Sequence, residues 1–346
     1  MSSLSQDSPS AAAPDILVTG ASGFIGGHLV HRLAERGHRV RVLARSTSDR
    51  AAFAGAAAQV TVGDLGDTDS LRRATTGIRH VYNCAGLSAD WGPWDRFRAV
   101  NVDGARNLVE AAHEAGTVER LVHLSTTDVY GYPERPCDER TAPRDIGLPY
   151  NRSKMLGEAA VWAAAERTGQ PVTVVRPVSV YGPGSKDFVI EIANLLLGKQ
   201  MVYIRGGRVP AGLLYVSNAV DGIIAATGEH TAGRAYNLRD PHDTTWREYV
   251  EALAEGLGVK APWLSLPTPV ATAVATVSEK LWGALRIDSR PVLTRHAVHL
   301  FDRDQSYPIG RAQEELGFKG EVDFQEGMRR TVAWLDSPEG RAHVAR

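Results

Sequence analysis

Apolar residues in this chain come in short runs. Ile16, Leu17 and Val18 form the first, a group of glycines follows at once, and Ile25, Leu29 and Leu33 then recur at helical spacing until Gly37 ends the pattern. A brief apolar run closed by turn residues predicts a buried strand, and a 3.6-residue recurrence predicts an amphipathic helix. The opening unit therefore reads strand, tight turn, helix. Further β-rich runs occur at Val40-Arg41-Val42-Leu43, Gln59-Val60-Thr61-Val62, Val81-Tyr82-Asn83-Cys84 and Leu121-Val122-His123-Leu124, with helical or loop segments between them. Another, Pro171-Val172-Thr173-Val174-Val175, follows a helix that begins near Tyr150. Alternation of strands and helices predicts an α/β fold, a doubly wound parallel sheet, because each parallel connection needs a crossover.

The 346 residues exceed what one core usually holds. A nucleotide-binding domain over residues 15–180 is expected. Residues 181–346 should be mainly a smaller α/β substrate lobe, with some segments returning to the sheet. Residues 1–14, rich in Ser and Ala and lacking the basic and apolar runs of a secretory signal, read as a disordered leader. Charged residues are 23% of the chain and the formal net charge is -1, which excludes a surface built for nucleic acid. Cys84 and Cys137 are too few for a disulfide framework, so a reducing cytoplasm is expected. The least polar stretch, residues 260–279, is interrupted by Pro262, Pro267 and Pro269, and reads as a packed helix rather than a membrane span.

Candidate chemistry starts in the first turn. Thr19-Gly20-Ala21-Ser22-Gly23-Phe24-Ile25-Gly26 spaces glycines three apart where a strand meets a helix, so that backbone N–H groups and the helix N-terminus can face a diphosphate. Tight turns also use glycine, but the position after the first strand favours the phosphate reading. The second strand ends in Leu43-Ala44-Arg45-Ser46-Thr47-Ser48. An acid there would bind a ribose 2′-hydroxyl. Arg45 stands instead and suits a 2′-phosphate, arguing for NADP(H) with NAD(H) possible, unless it is a solvated loop arginine.

Tyr150 and Lys154 lie four apart, which on a helix places both side chains on one face. A cation near a phenol favours the phenolate, so Lys154 is expected to lower the Tyr150 pKa and make it a usable acid or base. A surface pair is the ordinary meaning of such spacing. Here it follows a hydroxyl-rich strand end, Ser125-Thr126-Thr127-Asp128-Val129-Tyr130-Gly131, which itself follows the glycine turn. His296, His299 and Asp302 are spaced as metal ligands could be, yet no further ligand set accompanies them and they are not read as a site.

These motifs together resemble the extended short-chain dehydrogenases/reductases, the NAD-dependent epimerase/dehydratase superfamily. The resemblance runs on through Arg176-Pro177-Val178-Ser179-Val180-Tyr181-Gly182, Tyr215-Val216-Ser217-Asn218 and Leu316-Gly317-Phe318. It implies a Rossmann fold, with cofactor contacts from Gly20, Ser22, Gly23, Phe24, Ile25, Arg45, Asp64, Leu65, Ala85, Gly86, Tyr150, Lys154, Pro177 and Val180. Asp64 would otherwise be a helix N-cap. The resemblance gives Tyr150 the proton transfer, Lys154 the ribose hydroxyls, and Thr126 the substrate oxygen, with Ser125 as second choice. Asn101 resembles the asparagine that supports a proton path; a satisfied helix-interior asparagine, on a helix from Asp95 to Ala115, is the alternative. Cys84 reads as a small buried hydrophobe. The phrases Trp91-Gly92-Pro93-Trp94 and Pro291-Val292-Leu293-Thr294 resemble the 3β-hydroxysteroid dehydrogenase and dihydroflavonol reductase branch, and Trp91 and Trp94 would wall the pocket or pack between lobes. The expected activity is NADP(H)-dependent reduction of a ketone, or oxidation of an alcohol, on a hydrophobic small molecule, without a metal and in a homodimer. The alternatives are a nucleotide-sugar epimerase and, third, a non-catalytic NADP sensor.

Overall fold

The computed structural model describes residues 13–344 apart from 286 and 288. Most of the leader expected over residues 1–14 therefore lies outside the described residues. The first half of the chain alternates β1 (Ile16–Thr19), α1 (Phe24–Glu35), β2 (Val40–Ala44), β3 (Gln59–Val62), α2 (Thr68–Thr75), β4 (His80–Asn83), α3 (Trp94–Phe97), α4 (Ala105–Glu114), β5 (Arg120–Leu124), α5 (Pro149–Thr168) and β6 (Val172–Pro177). The second half contributes β7 (Ser179–Tyr181), α6 (Glu191–Leu197), β8 (Tyr203–Ile204), β9 (Leu213–Tyr215), α7 (Val216–Ala225), β10 (Ala235–Leu238), α8 (Trp246–Gly256), β11 (Ser265–Leu266), α9 (Thr268–Ala284), α10 (Arg295–Asp302), α11 (Gly310–Leu316), α12 (Phe324–Asp336) and α13 (Pro338–Arg341).

Seven strands form one parallel sheet in the order β10-β6-β5-β4-β1-β2-β3. Why the first apolar run is unbroken follows from this arrangement. Ile16 and Val18 face one core, with Leu29, Val30 and Leu33 of α1, while Leu17 faces the other, with Leu108 and Val109 of α4 and Val161 of α5. A parallel strand covered on both faces needs apolar residues in both registers. The strand order reverses between β1 and β4, which opens a crevice at the carboxyl ends of those strands.

The chain returns to the sheet late. Strand β10 pairs with β6 in the register Asn237 to Arg176, and α7 is tied to α1 by Asp221, which accepts from Arg32 at 3.1 and 3.0 Å and from Arg36 at 2.7 Å. The expected packed helix in the apolar stretch is met on one face only. In α9, Ala271 and Ala275 are buried with Ile204 and Val298, but Val270, Val274, Val277 and Leu281 remain about half exposed, and Trp263 before them is 92% exposed. Beyond that face the helix is held by polar contacts, Thr268 donating to Asp302 at 2.5 Å and Glu279 accepting from Arg295 at 2.7 and 2.6 Å. Among the described residues no helix is long and apolar enough to cross a membrane.

Candidate active site

Two glycines in the first turn are required by space. Gly20 has φ +69°, and a Cβ on it would lie 2.5 Å from the Cys84 backbone; one on Gly26 would lie 2.2 Å from the Gly20 carbonyl oxygen. The chain can therefore pass from β1 into α1 against the end of β4 only without side chains at these positions. Helix α1 begins after Gly23 with no side-chain cap, so its first N–H groups are left for a ligand, and the helix dipole favours an anion there. This turn is one wall of a cavity of about 660 Å³.

The cavity brings Gly20, Gly23, Phe24 and Ile25 of that turn together with Ala85 and Gly86 after β4 and with Thr126, Tyr150, Lys154, Pro177 and Val180. Four other residues singled out for the cofactor are not in its lining. Ser22, Arg45 and Asp64 are exposed. The Arg45 backbone N–H donates to Ser48 Oγ at 3.1 Å, and the Asp64 carboxylate accepts from the Gly66 N–H at 2.9 Å. The Leu65 side chain is buried in the second core against Gly104, whose Cβ would come within 2.7 Å of it. Trp91 lines the cavity, but Trp94 lies apart with the Arg152 guanidinium 4.9 Å from its ring centre, so one tryptophan rather than two forms the wall.

Lys154 sits one turn after Tyr150 on α5, and its Nζ donates to the Leu124 carbonyl at 2.7 Å. Burial pushes the lysine down to about 8, opposed by Glu158. The Tyr150 phenol is pushed up, first by burial and then by the Asp128 and Asp187 carboxylates, while the Ser88 and Thr126 hydroxyls pull it down. The expectation that Lys154 lowers Tyr150 is thus not met in the protein alone. Loss of water around the phenol and two facing carboxylates outweigh a cation already turned to a carbonyl.

Thr126 and Ser125 divide their work. Thr126 Oγ1 accepts from the Asp128 N–H at 3.2 Å at the start of a short 3-10 turn, and the residue lines the cavity. The Ser125 hydroxyl donates to Glu158 at 2.7 Å. Glu158 pairs with the buried Arg176, which donates to the Tyr130 hydroxyl at 2.7 Å, and that hydroxyl donates to Asn237 at 2.8 Å. Ser125 therefore belongs to a buried network running from α5 to β10.

Asn101 does not lie on a continuous α-helix. Residues Arg98–Gly104 form a π-helical stretch between α3 and α4, a local widening that often marks functional sites. Its amide oxygen accepts from the Leu87 N–H at 2.7 Å, and its nitrogen donates to the Leu87 carbonyl at 3.2 Å and to Ser153 at 2.9 Å. The asparagine clamps the loop that floors the cavity. Cys84 is partly buried in the cavity wall, and its thiol is pushed up to about 12 by burial, which disfavours the thiolate.

The far end of the cavity comes from residues that the sequence pattern did not single out. Ser88 donates to Asp187 at 3.3 Å. Arg290 forks onto Asp90 at 2.6 and 2.8 Å and reaches Glu191 at 3.3 Å. Phe188, Leu300 and Phe301 supply apolar surface. These residues lie 37 to 151 positions from Tyr150 and share no spacing, so only the tertiary fold reveals them. Of the three residues considered as metal ligands, Asp302 accepts from Thr268 at 2.5 Å, His299 stacks on Tyr132, and His296 packs edge-on against the Tyr150 ring, 5.7 Å between centres.

A profile of the NAD dependent epimerase/dehydratase family matches residues 16–238, from β1 to the last sheet strand. The chain belongs to this family. It is an NAD(P)-dependent oxidoreductase of the extended short-chain dehydrogenase/reductase type. Among its relatives is a 4-hydroxy-2-methyl-3-oxo-4-farnesyl-3,4-dihydroquinoline-1-oxide ketoreductase of Stigmatella aurantiaca, 30% identical over 314 residues that cover 90% of this chain and 93% of that protein. Another is a 3 beta-hydroxysteroid dehydrogenase/Delta 5-->4-isomerase of Mycobacterium tuberculosis, 29% identical over 93% of this chain and 90% of that one. A solved structure of the dTDP-glucose 4,6-dehydratase DesIV from Streptomyces venezuelae, with NAD bound, superposes with a TM-score of 0.74 at 26% identity, covering 94% of this chain and 98% of that one.

Proposed function

We propose that this family member is an NADP(H)-dependent ketoreductase or alcohol dehydrogenase for a hydrophobic small molecule, with Tyr150 as general acid and base. The observation that carries the reading is the meeting of Thr126, Tyr150 and Lys154 in one cavity with the uncapped N-terminus of α1. The residues present fit a dinucleotide: the glycine turn offers backbone N–H groups to a diphosphate, and Gly86, which has no side chain to fill the space near Lys154, leaves room beside it. Bound there, the cofactor would supply a hydride for reduction or accept one for oxidation.

The chain's own groups handle the proton. In this reading Thr126 hydrogen-bonds the substrate oxygen, and Tyr150 protonates that oxygen as a ketone becomes an alcohol. Its elevated pKa keeps the phenol protonated and ready as an acid in the reducing direction. Lys154 would hold ribose hydroxyls. Arg45, exposed at the end of β2 and in no ion pair among the described residues, supports a preference for a 2′-phosphate. Trp91, Phe188, Leu300 and Phe301 support a hydrophobic substrate, as do two relatives named for bulky ring compounds bearing a ketone or its alcohol.

The test is calorimetric binding of NADPH and NADH, followed by NADPH oxidation with a panel of hydrophobic ketones. Exchangeable, NADPH-selective binding with ketone-dependent turnover is expected. Tightly retained NAD and no net oxidation would replace this reading with that of a sugar epimerase.

A further inference from the structure

One imidazole touches the proposed proton donor without taking part in the chemistry described so far. His296, near the start of α10, lines the cavity with its side chain 14% exposed and packs edge-on against Tyr150. Its ring nitrogens have only long contacts: Nε2 lies 3.8 Å from Asp128 Oδ2, and Nδ1 lies 3.5 Å from the Tyr132 hydroxyl. Both are at or beyond the limit of a formed hydrogen bond. Three separate parts of the chain, the turn after β5, the segment at Tyr132 and α10, thus hold a polar ring beside the reacting position with donor capacity still unspent. A polar group so placed in a largely enclosed site costs stability unless a ligand satisfies it.

We propose that His296 is a specificity-determining residue that donates a hydrogen bond to a second oxygen of the substrate, so that the substrate is a β-oxygenated ketone, such as a 3-oxo ester or 3-oxo amide. The inference rests on the reading of Tyr150 as proton donor, because it takes the first oxygen to sit at Tyr150 and Thr126. It also selects the neutral members of the class. The far end of the cavity already carries Asp90, Asp187 and Glu191 against Arg290 and Lys186, and Arg290 is committed to Asp90. A substrate carboxylate would enter beside three acids, with Lys186 the lining cation that is not forked onto Asp90, so the excess of acids favours the neutral members.

Two probes separate the possibilities. Ethyl 3-oxooctanoate carries the second oxygen, and 6-undecanone has the same chain skeleton without it. The quantity read is the ratio of kcat/KM for the ester to that for the plain ketone, with NADPH, in the wild type, in His296→Phe, which keeps a ring against Tyr150 but no N–H, and in His296→Gln, which restores a donor. The ratio is expected to fall about 10- to 100-fold in His296→Phe and to recover in part in His296→Gln. Calorimetric binding of ethyl 3-hydroxyoctanoate to the NADPH-loaded protein should weaken in the same order. A wild type that reduces both probes with a ratio unmoved by His296→Phe overturns this inference and leaves the proposed function standing. A wild type that reduces neither, and binds no NADPH, overturns both.

Discussion

A lysine ammonium enclosed at the end of β5 has a depressed pKa, about 8, because its desolvation outweighs the help of nearby carboxylates. It is charged below that value and neutral above it. For the free protein, kcat/KM with respect to NADPH should therefore fall above about pH 8, and residual activity in Lys154→Arg should lose that limb, since a guanidinium does not titrate there. An unmoved limb would assign it to another group. The same shift has a stability consequence with a definite sign. Between about pH 8 and the ordinary lysine value of 10.5, the unfolded chain binds the extra proton, so Lys154 makes stability rise with pH across that window. Arg45→Ala should weaken NADPH binding about tenfold or more and NADH binding little, measured by calorimetry, because a charge-assisted fork to phosphate is lost only with the former. Tyr150, Lys154 and the glycines were legible in the sequence because local spacing alone decides which face or turn they occupy. His296 was visible only as a possible ligand. Its neighbour Tyr150 lies 146 positions away, and no local rule joins the two.

Helix α5 combines several functions on successive turns. Tyr150 and Lys154 face the cavity, Glu158 joins the buried network, and between them Gly157 lets the helix press on the π-helical stretch, where an added Cβ would lie 2.1 Å from the Asn101 carbonyl oxygen. Gly157→Ala should thus shift Asn101 and the loop it clamps, with a loss of thermal stability and a larger loss of turnover; wild-type behaviour would show that the helices can separate at no cost. Arg176→Met leaves Glu158 and Ser125 buried without their cation, and should cost about 3–5 kcal/mol in chemical denaturation. At this scale the sequence reading was right about the existence of strands and helices and wrong where tertiary demands intervene. The apolar spacing over residues 95–115 fits one helix, but the helix widens to π geometry over Arg98–Gly104, where Asn101 bonds Leu87. The apolar content of α9 implied burial, yet only Ala271 and Ala275 are buried, and Val270, Val274, Val277 and Leu281 stay about half exposed.

At the scale of the whole molecule, the parallel sheet of the first six strands was legible because helices separate most of the apolar runs, the β2–β3 connection excepted. The substrate end was not, since its wall is assembled from residues 86–91, 185–191 and 290–301 by contacts that no periodicity encodes. A shortened chain ending at residue 230 should be largely insoluble or show rapid amide exchange in β6, measured by exchange mass spectrometry, because β6 loses its neighbour and Tyr130 loses Asn237; a soluble, well-protected fragment would show that six strands suffice. That late strand also has a meaning for how the protein is made. Synthesis runs from the N-terminus, so residues 1–177 emerge from the ribosome with β6 as a sheet edge that the finished fold covers, and roughly 60 more residues must follow before β10 can pair with it. A nascent chain of this protein therefore spends several seconds, at ordinary elongation rates of about 5–20 residues per second, as an edge that another copy could pair with. Translation speed across residues 178–238 and the supply of chaperone at that moment, rather than the strength of the finished fold, should set how much of it is recovered in soluble form.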